Sequence, residues 1–282
     1  MPLPRLALLV ALAMLAFAAN SLLCRIALRD GHIDAASFTA LRLASGALAL
    51  WLIVRLRAGA ASPLAGNWPS ALALFAYAAG FSWAYLQLSA ATGALLLFGA
   101  VQASMILWGL CRGERLTAGQ GCGLLLAGAG LAVLLLPGAS APAALPALAM
   151  LLAGVAWGVY SLRGRGAGDA TGSTAGNFLR CLPLALLLGL AGLPWAHLDG
   201  AGVFYALLSG ALASGCGYAL WYAVLPALRA TQAATVQLSV PLITALLGVL
   251  LLGEPFGTRL LLAAALLLGG VAWVLLGRAP AR

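Results

Sequence analysis

The stretch "LLGEPFGT" at residues 251–258 has an echo in "LCRGERLTAG" at residues 110–119. Both place a Gly-Glu pair directly after a long apolar run. Glu114 and Glu254 stand 140 residues apart in a chain of 282. The protein has six acidic residues in all, so two of them in one repeated phrase point to two related halves.

Composition says what kind of halves these are. Hydrophobic residues make up 64% of the chain and charged residues 7%, with a mean hydropathy of +1.07. A soluble domain is usually ~45–50% apolar and ~25% charged. A soluble core could not hide this much apolar surface, so the solvent is mostly lipid and the protein is polytopic. Apolar stretches run over 6–27, 35–54, 68–88, 91–110, 117–136, 145–162, 173–192, 201–225, 230–252 and 258–276. Each is close to the ~20 residues a helix needs to cross the hydrocarbon core. They are too long for barrel strands and lack strand alternation. The expectation is an all-α integral membrane protein of ten transmembrane helices, with its softest boundary at Ser89–Gly93.

Orientation follows from the fifteen basic residues, all of them Arg. With the N-terminus inside, the cytoplasmic segments hold Arg5, Arg55, Arg57, Arg112, Arg115, Arg163, Arg165, Arg229, Arg278 and Arg282. The other side holds Arg25, Arg29 and Arg259, and the loop "PGASAPAAL" at 137–145 is uncharged. Such asymmetry marks the cytoplasmic side, with both termini there. The net charge of +9 is therefore topology information. No basic soluble domain is present to bind nucleic acid.

The repeat extends beyond the Gly-Glu turns. "FAANSLLCR" at 17–25 aligns with "WGVYSLRGR" at 157–165, again offset by 140. The first span therefore has a counterpart and reads as part of the mature fold, although it resembles a signal peptide. "LR" recurs at 41–42 and 179–180, and Tyr85 aligns with Tyr222. Five spans per half force the second half into the membrane upside down. Inverted repeats are common in secondary transporters, with substrate held near the midplane. The halves are expected at 1–141 and 142–282.

These features resemble the EamA family of the drug/metabolite transporter superfamily. The resemblance is carried by the five-helix half ending in a Gly-Glu turn and by the Gly-rich helix "GQGCGLLLAGAGLAVLL" at 119–135. It is carried also by "AANSLLCR" at 18–25, "LR", "WYAVLPAL" at 221–228 and "VPLITALLGVLLLGEP" at 240–255. Within the family the chain looks most like the YddG-type exporters of aromatic and other neutral amino acids. One departure is Val101, where the second half has Pro241. The resemblance implies a basket in a bacterial inner membrane, probed by alternating access. Spans one, three, four, six, eight and nine would surround a central cavity, and the protein would act as a monomer.

Residues of those spans suited to a ligand are Phe17 and Asn20, then Tyr77, Phe81 and Tyr85, which recur every fourth position and share a face. Span six offers Trp157 and Tyr160, and span eight offers Tyr218, Trp221 and Tyr222. Spans four and nine add Gln102, Gln237 and Ser239. Aromatic walls with a few neutral polar groups suit a ligand with an apolar body and a small polar head. Trp68, Trp108 and Trp195 fit an interfacial belt.

Arg42 and Arg180 lie about eight residues inside their spans. A substrate anchor is one reading. Spans two and seven are peripheral in the family picture, so a structural arginine bonded to helix-end carbonyls is favoured. No Asp or Glu lies deep in a span, so Glu114 and Glu254 read as helix-end caps. His32 with Asp34 and His197 with Asp199 read as solvated loop residues. Cys24, Cys111, Cys122, Cys181 and Cys216 have no metal spacing and read as packing residues. Pro183 and Pro241 are expected to kink spans seven and nine. Glycines 121, 123, 128, 130, 269 and 270 permit close helix approach. No catalytic group, metal or cofactor is expected. A carrier is favoured over an intramembrane lipid-processing enzyme, since no nucleophile–base pair is visible. A carrier for nucleotide sugars or lipids would want a more cationic cavity for phosphate.

Overall fold

The computed structural model describes residues 2–58, 65–113, 115–138, 141–164, 168–228 and 230–276. Glu114, Arg165, Arg229, Arg278 and Arg282 fall outside them. The first seven spans are α1 (Leu3–Arg29), α2 (Ala35–Ala58), α3 (Trp68–Ala84), α4 (Ala90–Cys111), α5 (Ala118–Leu135), α6 (Ala144–Gly164) and α7 (Ala170–Gly192). Span eight is composite: α8 (Gly200–Leu207), a π-helix (Leu208–Cys216), α9 (Gly217–Val224) and a 3-10 turn (Leu225–Ala227). Span nine is broken into α10 (Ala230–Gln237) and α11 (Ser239–Leu252), and α12 (Thr258–Leu276) is the tenth. Nine of these spans among the described residues are long and apolar enough to cross a membrane, and α3, with 17 residues, is a shorter tenth. The protein is an all-α, multi-pass membrane protein.

Short polar side chains start the helices. Asn67, Ser89, Asp169 and Asp199 each accept a hydrogen bond from the amide three residues on, and Thr117 forms a capping box with Gln120. Each satisfies an amide that lipid could not. The connection between α3 and α4 is therefore Tyr85–Ser89, slightly earlier than expected. At the end of α11, Gly253 takes a left-handed conformation with φ of 61°, which a Cβ would oppose.

The break in span nine has a local cause. Pro241 has no amide proton, so the carbonyl of Gln237 loses its helical partner. Leu238 separates the two helices, and its amide turns back to Thr235 at 3.1 Å. Pro183, by contrast, sits inside a continuous α7.

The helix pairings are related across the chain. α2 packs on α7, α4 on α11 and α5 on α12. α6 packs on α3 and α4, while α1 packs on span eight and on α11. α3 meets α7 as α2 meets span eight. Exchanging the first five spans with the last five maps these pairings onto one another. α5 and α12 cross at Gly123 and Gly270: a Cβ on Gly123 would meet the Gly270 carbonyl at 2.8 Å, and one on Gly270 would meet the Gly123 carbonyl at 2.5 Å. Gly130 also abuts α12, whereas Gly121, Gly128 and Gly269 face open space and do no such work.

A buried polar and aromatic centre as candidate transport site

Four elements bring polar groups together in the apolar interior. From α1, Asn20 donates through Nδ2 to the Tyr77 hydroxyl of α3 at 3.3 Å. Its Oδ1 accepts from Ser209 Oγ of the π-helix at 2.7 Å. Arg42 of α2 donates through Nη2 to the same Tyr77 hydroxyl at 3.0 Å. All four side chains are buried. α2 comes this close because glycines face the π-helix. A Cβ on Gly46 would meet the Phe178 ring and the Gly210 carbonyl, and one on Gly210 would meet Ser45 and the Arg42 carbonyl.

Aromatic rings surround this polar group. Trp157 stacks on Tyr218 at 5.3 Å and 19°, and touches Tyr77 at 4.8 Å and Tyr160 at 5.3 Å. Tyr77 continues to Phe81 at 5.3 Å and Phe81 to Tyr85 at 4.7 Å. On the other side Phe17 lies 5.7 Å from Tyr218 and 6.2 Å from Trp221. Such pairs contribute ~0.5–1.5 kcal/mol each beyond area burial. Most of these rings are buried, while Phe17 and Trp157 are half-buried. The rings thus fill the middle of the bundle in this conformation.

Arg42 corrects the expectation of a peripheral, structural arginine. Its side chain is 2% exposed. The guanidinium carbon lies 4.8 Å from the Phe81 ring centre and 5.2 Å from that of Tyr77. Nη1 is buried with no hydrogen-bond partner. Two cation–π contacts of ~0.5–2 kcal/mol and one neutral hydrogen bond of about 1 kcal/mol offset only part of the several kcal/mol that burying a lone charge costs. Arg180 does behave as expected, donating to the carbonyls of Ala65 (2.9 Å) and Gly176 (2.8 Å).

Residues 144–276 match the EamA-like transporter family. An uncharacterized protein of Pseudomonas aeruginosa is 61% identical over 282 residues, 99% of this chain and 98% of that one. The second half of the chain is an EamA-like transporter family domain. A solved crystal structure of a protein, 22% identical, aligns over 97% of this chain and 98% of its own with a TM-score of 0.66, a likeness of fold. This EamA protein is thus a membrane transporter of the drug/metabolite transporter superfamily.

The two ends of the EamA bundle differ. At one, Arg25 Nε donates to Glu254 Oε1 at 3.0 Å, and Arg25 Nη1 donates to the carbonyls of Tyr85 (2.9 Å) and Leu86 (3.2 Å). Glu254 Oε2 accepts from the Ala90 amide at 2.7 Å. Glu254 is therefore a cap, as expected, but of α4 rather than of its own α12. The clasp ties α1, α3, α4 and the turn after α11 into a plug. Tyr85 sits beneath it, its ring in the space left by the missing Cβ of Gly93 and its hydroxyl 3.3 Å from the Ala90 carbonyl.

The opposite end holds a cleft of about 70 Å³, lined among others by Asn67, Ser70, Tyr160, Arg163, Thr174 and Tyr222. A water takes ~30 Å³ of the liquid, so the cleft admits water and must widen for a larger solute. Arg163 donates to Ser70 Oγ and Asn67 Oδ1, and Tyr160 to Thr174.

Nine aromatic site residues were expected, and eight of them form the ring network. Tyr222 lines the cleft instead. Gln102 is buried on α4, whereas Gln237 and Ser239 lie at the break in span nine, half-buried. The Ser239 hydroxyl is used on the Val236 carbonyl at 2.6 Å. Phe178, 5.9 Å from Tyr218, and Ser209 were not foreseen. The one available signal for Ser209 was the small-residue stretch "SGALASGC" at 209–216. The two His-x-Asp loops also depart from expectation, since they pair with each other. Ile33 and Leu198 form an antiparallel bridge, and His32 Nδ1 lies 2.7 Å from Asp199 Oδ2. Cys24 and Cys181 are buried packing residues, while Cys111 and Cys122 are exposed on the bundle surface.

Proposed function

We propose that the protein exports aromatic and other neutral amino acids, or similar small metabolites, across a bacterial inner membrane. Both termini are cytoplasmic, the chain acts as a monomer, and its substrate is a small molecule. The halves are 1–141 and 142–282, inverted relative to each other, and they work by alternating access. The observation that carries this reading is the contiguous ring network around the buried Asn20, Arg42, Tyr77 and Ser209, drawn from both halves of the chain. The exchange-related helix pairings support the two-half description. The Arg25–Glu254 clasp at one end and the polar cleft at the other suit a conformation closed outward and nearly closed inward.

The test is competition by phenylalanine and by alanine in reconstituted liposomes. Burying an aromatic side chain is worth ~1.5–3 kcal/mol, so Trp157→Ala and Trp221→Ala should weaken phenylalanine by about tenfold or more. Alanine should lose much less. Equal losses for the two, or no amino-acid competition with the unaltered protein, would overturn this function.

A further inference from the structure

Arg42 is the one arginine at the centre of the ring network, and its surroundings are incomplete. Nη2 has the Tyr77 hydroxyl, the flat faces have Phe81 and Tyr77, and Nη1 has nothing. The five described acidic side chains are engaged elsewhere. Asp30 bonds Arg29, Asp34 and Asp199 join the paired loops, Asp169 caps α7, and Glu254 holds Arg25. Among the described residues, the buried cation therefore faces no anion. The neighbouring polar groups are already paired with one another, and none is a carboxylate that could receive an ammonium.

We propose that Arg42 is the anchor for a substrate carboxylate, and that the site selects aromatic monocarboxylates whether or not they carry an ammonium group. This rests on the aromatic-cavity reading above and sharpens it. A planar guanidinium with a free Nη1 offers a directed donor to a carboxylate oxygen, and such charge-assisted bonds are the stronger kind. The substrate's ring would take its place among Trp157, Tyr218 and Phe81, where rings already interleave at stacking distances. Two charges that meet away from water then neutralise each other, and an amine without a carboxylate would add a second cation beside Arg42.

The test compares phenylalanine, 3-phenylpropionate and phenethylamine as competitors in proteoliposomes of the full chain. The unaltered protein should accept 3-phenylpropionate at least as well as phenylalanine, and phenethylamine at least tenfold more weakly. Arg42→Gln should weaken both carboxylates about tenfold or more and, by removing the repelling cation, strengthen phenethylamine. Trp157→Ala should weaken all three. Should Arg42→Gln fail to fold, the three competitors on the unaltered protein decide the matter. Phenethylamine competing as well as 3-phenylpropionate would overturn the anchor while leaving the aromatic cavity standing. Equal losses for all three compounds in a folded Arg42→Gln would do the same. Failure of every aromatic compound to compete would overturn both.

Discussion

The Glu254 carboxylate accepts a 2.7 Å hydrogen bond from the amide of Ala90, 164 positions away in sequence, and so caps a helix that is not its own. The same carboxylate holds Arg25 at 3.0 Å, and both side chains are largely buried. Removing one member of a buried ion pair leaves the other charge uncompensated. Glu254→Ala is therefore expected to cost ~3–5 kcal/mol, read as a large fall in melting temperature in detergent. A loss within the ~0.3–1 kcal/mol of a simple helix-end charge would show that the clasp contributes no more than a surface cap.

The Ser209–Asn20–Tyr77 chain should behave as one unit. Ser209→Ala leaves Asn20 Oδ1 buried without its donor, at a cost of ~1–3 kcal/mol. Asn20→Ala strands the Ser209 hydroxyl in the same way. The double variant should cost less than the sum, because the second change removes a group already orphaned. Strict additivity in denaturation would show that these groups do not depend on one another.

The paired loops carry a pH signature. Burial alone would raise the Asp34 carboxyl, but hydrogen bonds from Ser37, His197 and Ala36 outweigh it and hold the group below its ordinary range. The Gly202 amide, followed by His32, lowers Asp199 likewise. A depressed carboxyl stabilises the fold above its unfolded value, ~3.9, and the contribution disappears as pH falls through the lower folded value. Protection of the Asp34 and Asp199 amides, which bond the His197 and His32 carbonyls at 2.9 and 2.8 Å, should hold from neutrality down to about pH 4 and then decline. Loss of protection already between neutrality and pH 5 would exclude the carboxylates as its source.

Topology can be read from one engineered thiol. A cysteine at Ala141, between α5 and α6, on a background without the five native cysteines, should react with an impermeant maleimide from outside intact cells. Reaction only after permeabilisation would place this loop in the cytoplasm and overturn the assigned orientation.

Much of the fold was legible because lipid imposes one dominant rule. A backbone without water must bond to itself, so apolar runs bounded by charges become helices, and among the described residues six of the ten spans start where a Ser, Thr, Asn or Asp caps them. The aromatic residues of the centre were legible for a similar reason. Tyr77, Phe81 and Tyr85 share a helical face by spacing alone. Periodicity says which residues share a face, however, and does not say what that face meets.

That second question was decided by tertiary structure. Arg42 looked peripheral because the family resemblance puts span two outside the cavity, yet Gly46 and Gly210 let α2 approach the π-helix and carry the guanidinium inward to Tyr77 and Phe81. Glu254 was correctly read as a cap, but its partner helix lies in the other half of the chain. The π-helix that presents Ser209 to Asn20 has no local periodicity to announce it, because small residues are compatible with either winding. Composition and spacing determined that this chain is a ten-span helical membrane protein with an aromatic face on several spans. Long-range packing determined which polar groups share the interior, because the energy of a buried charge or hydrogen bond depends on partners distant in sequence.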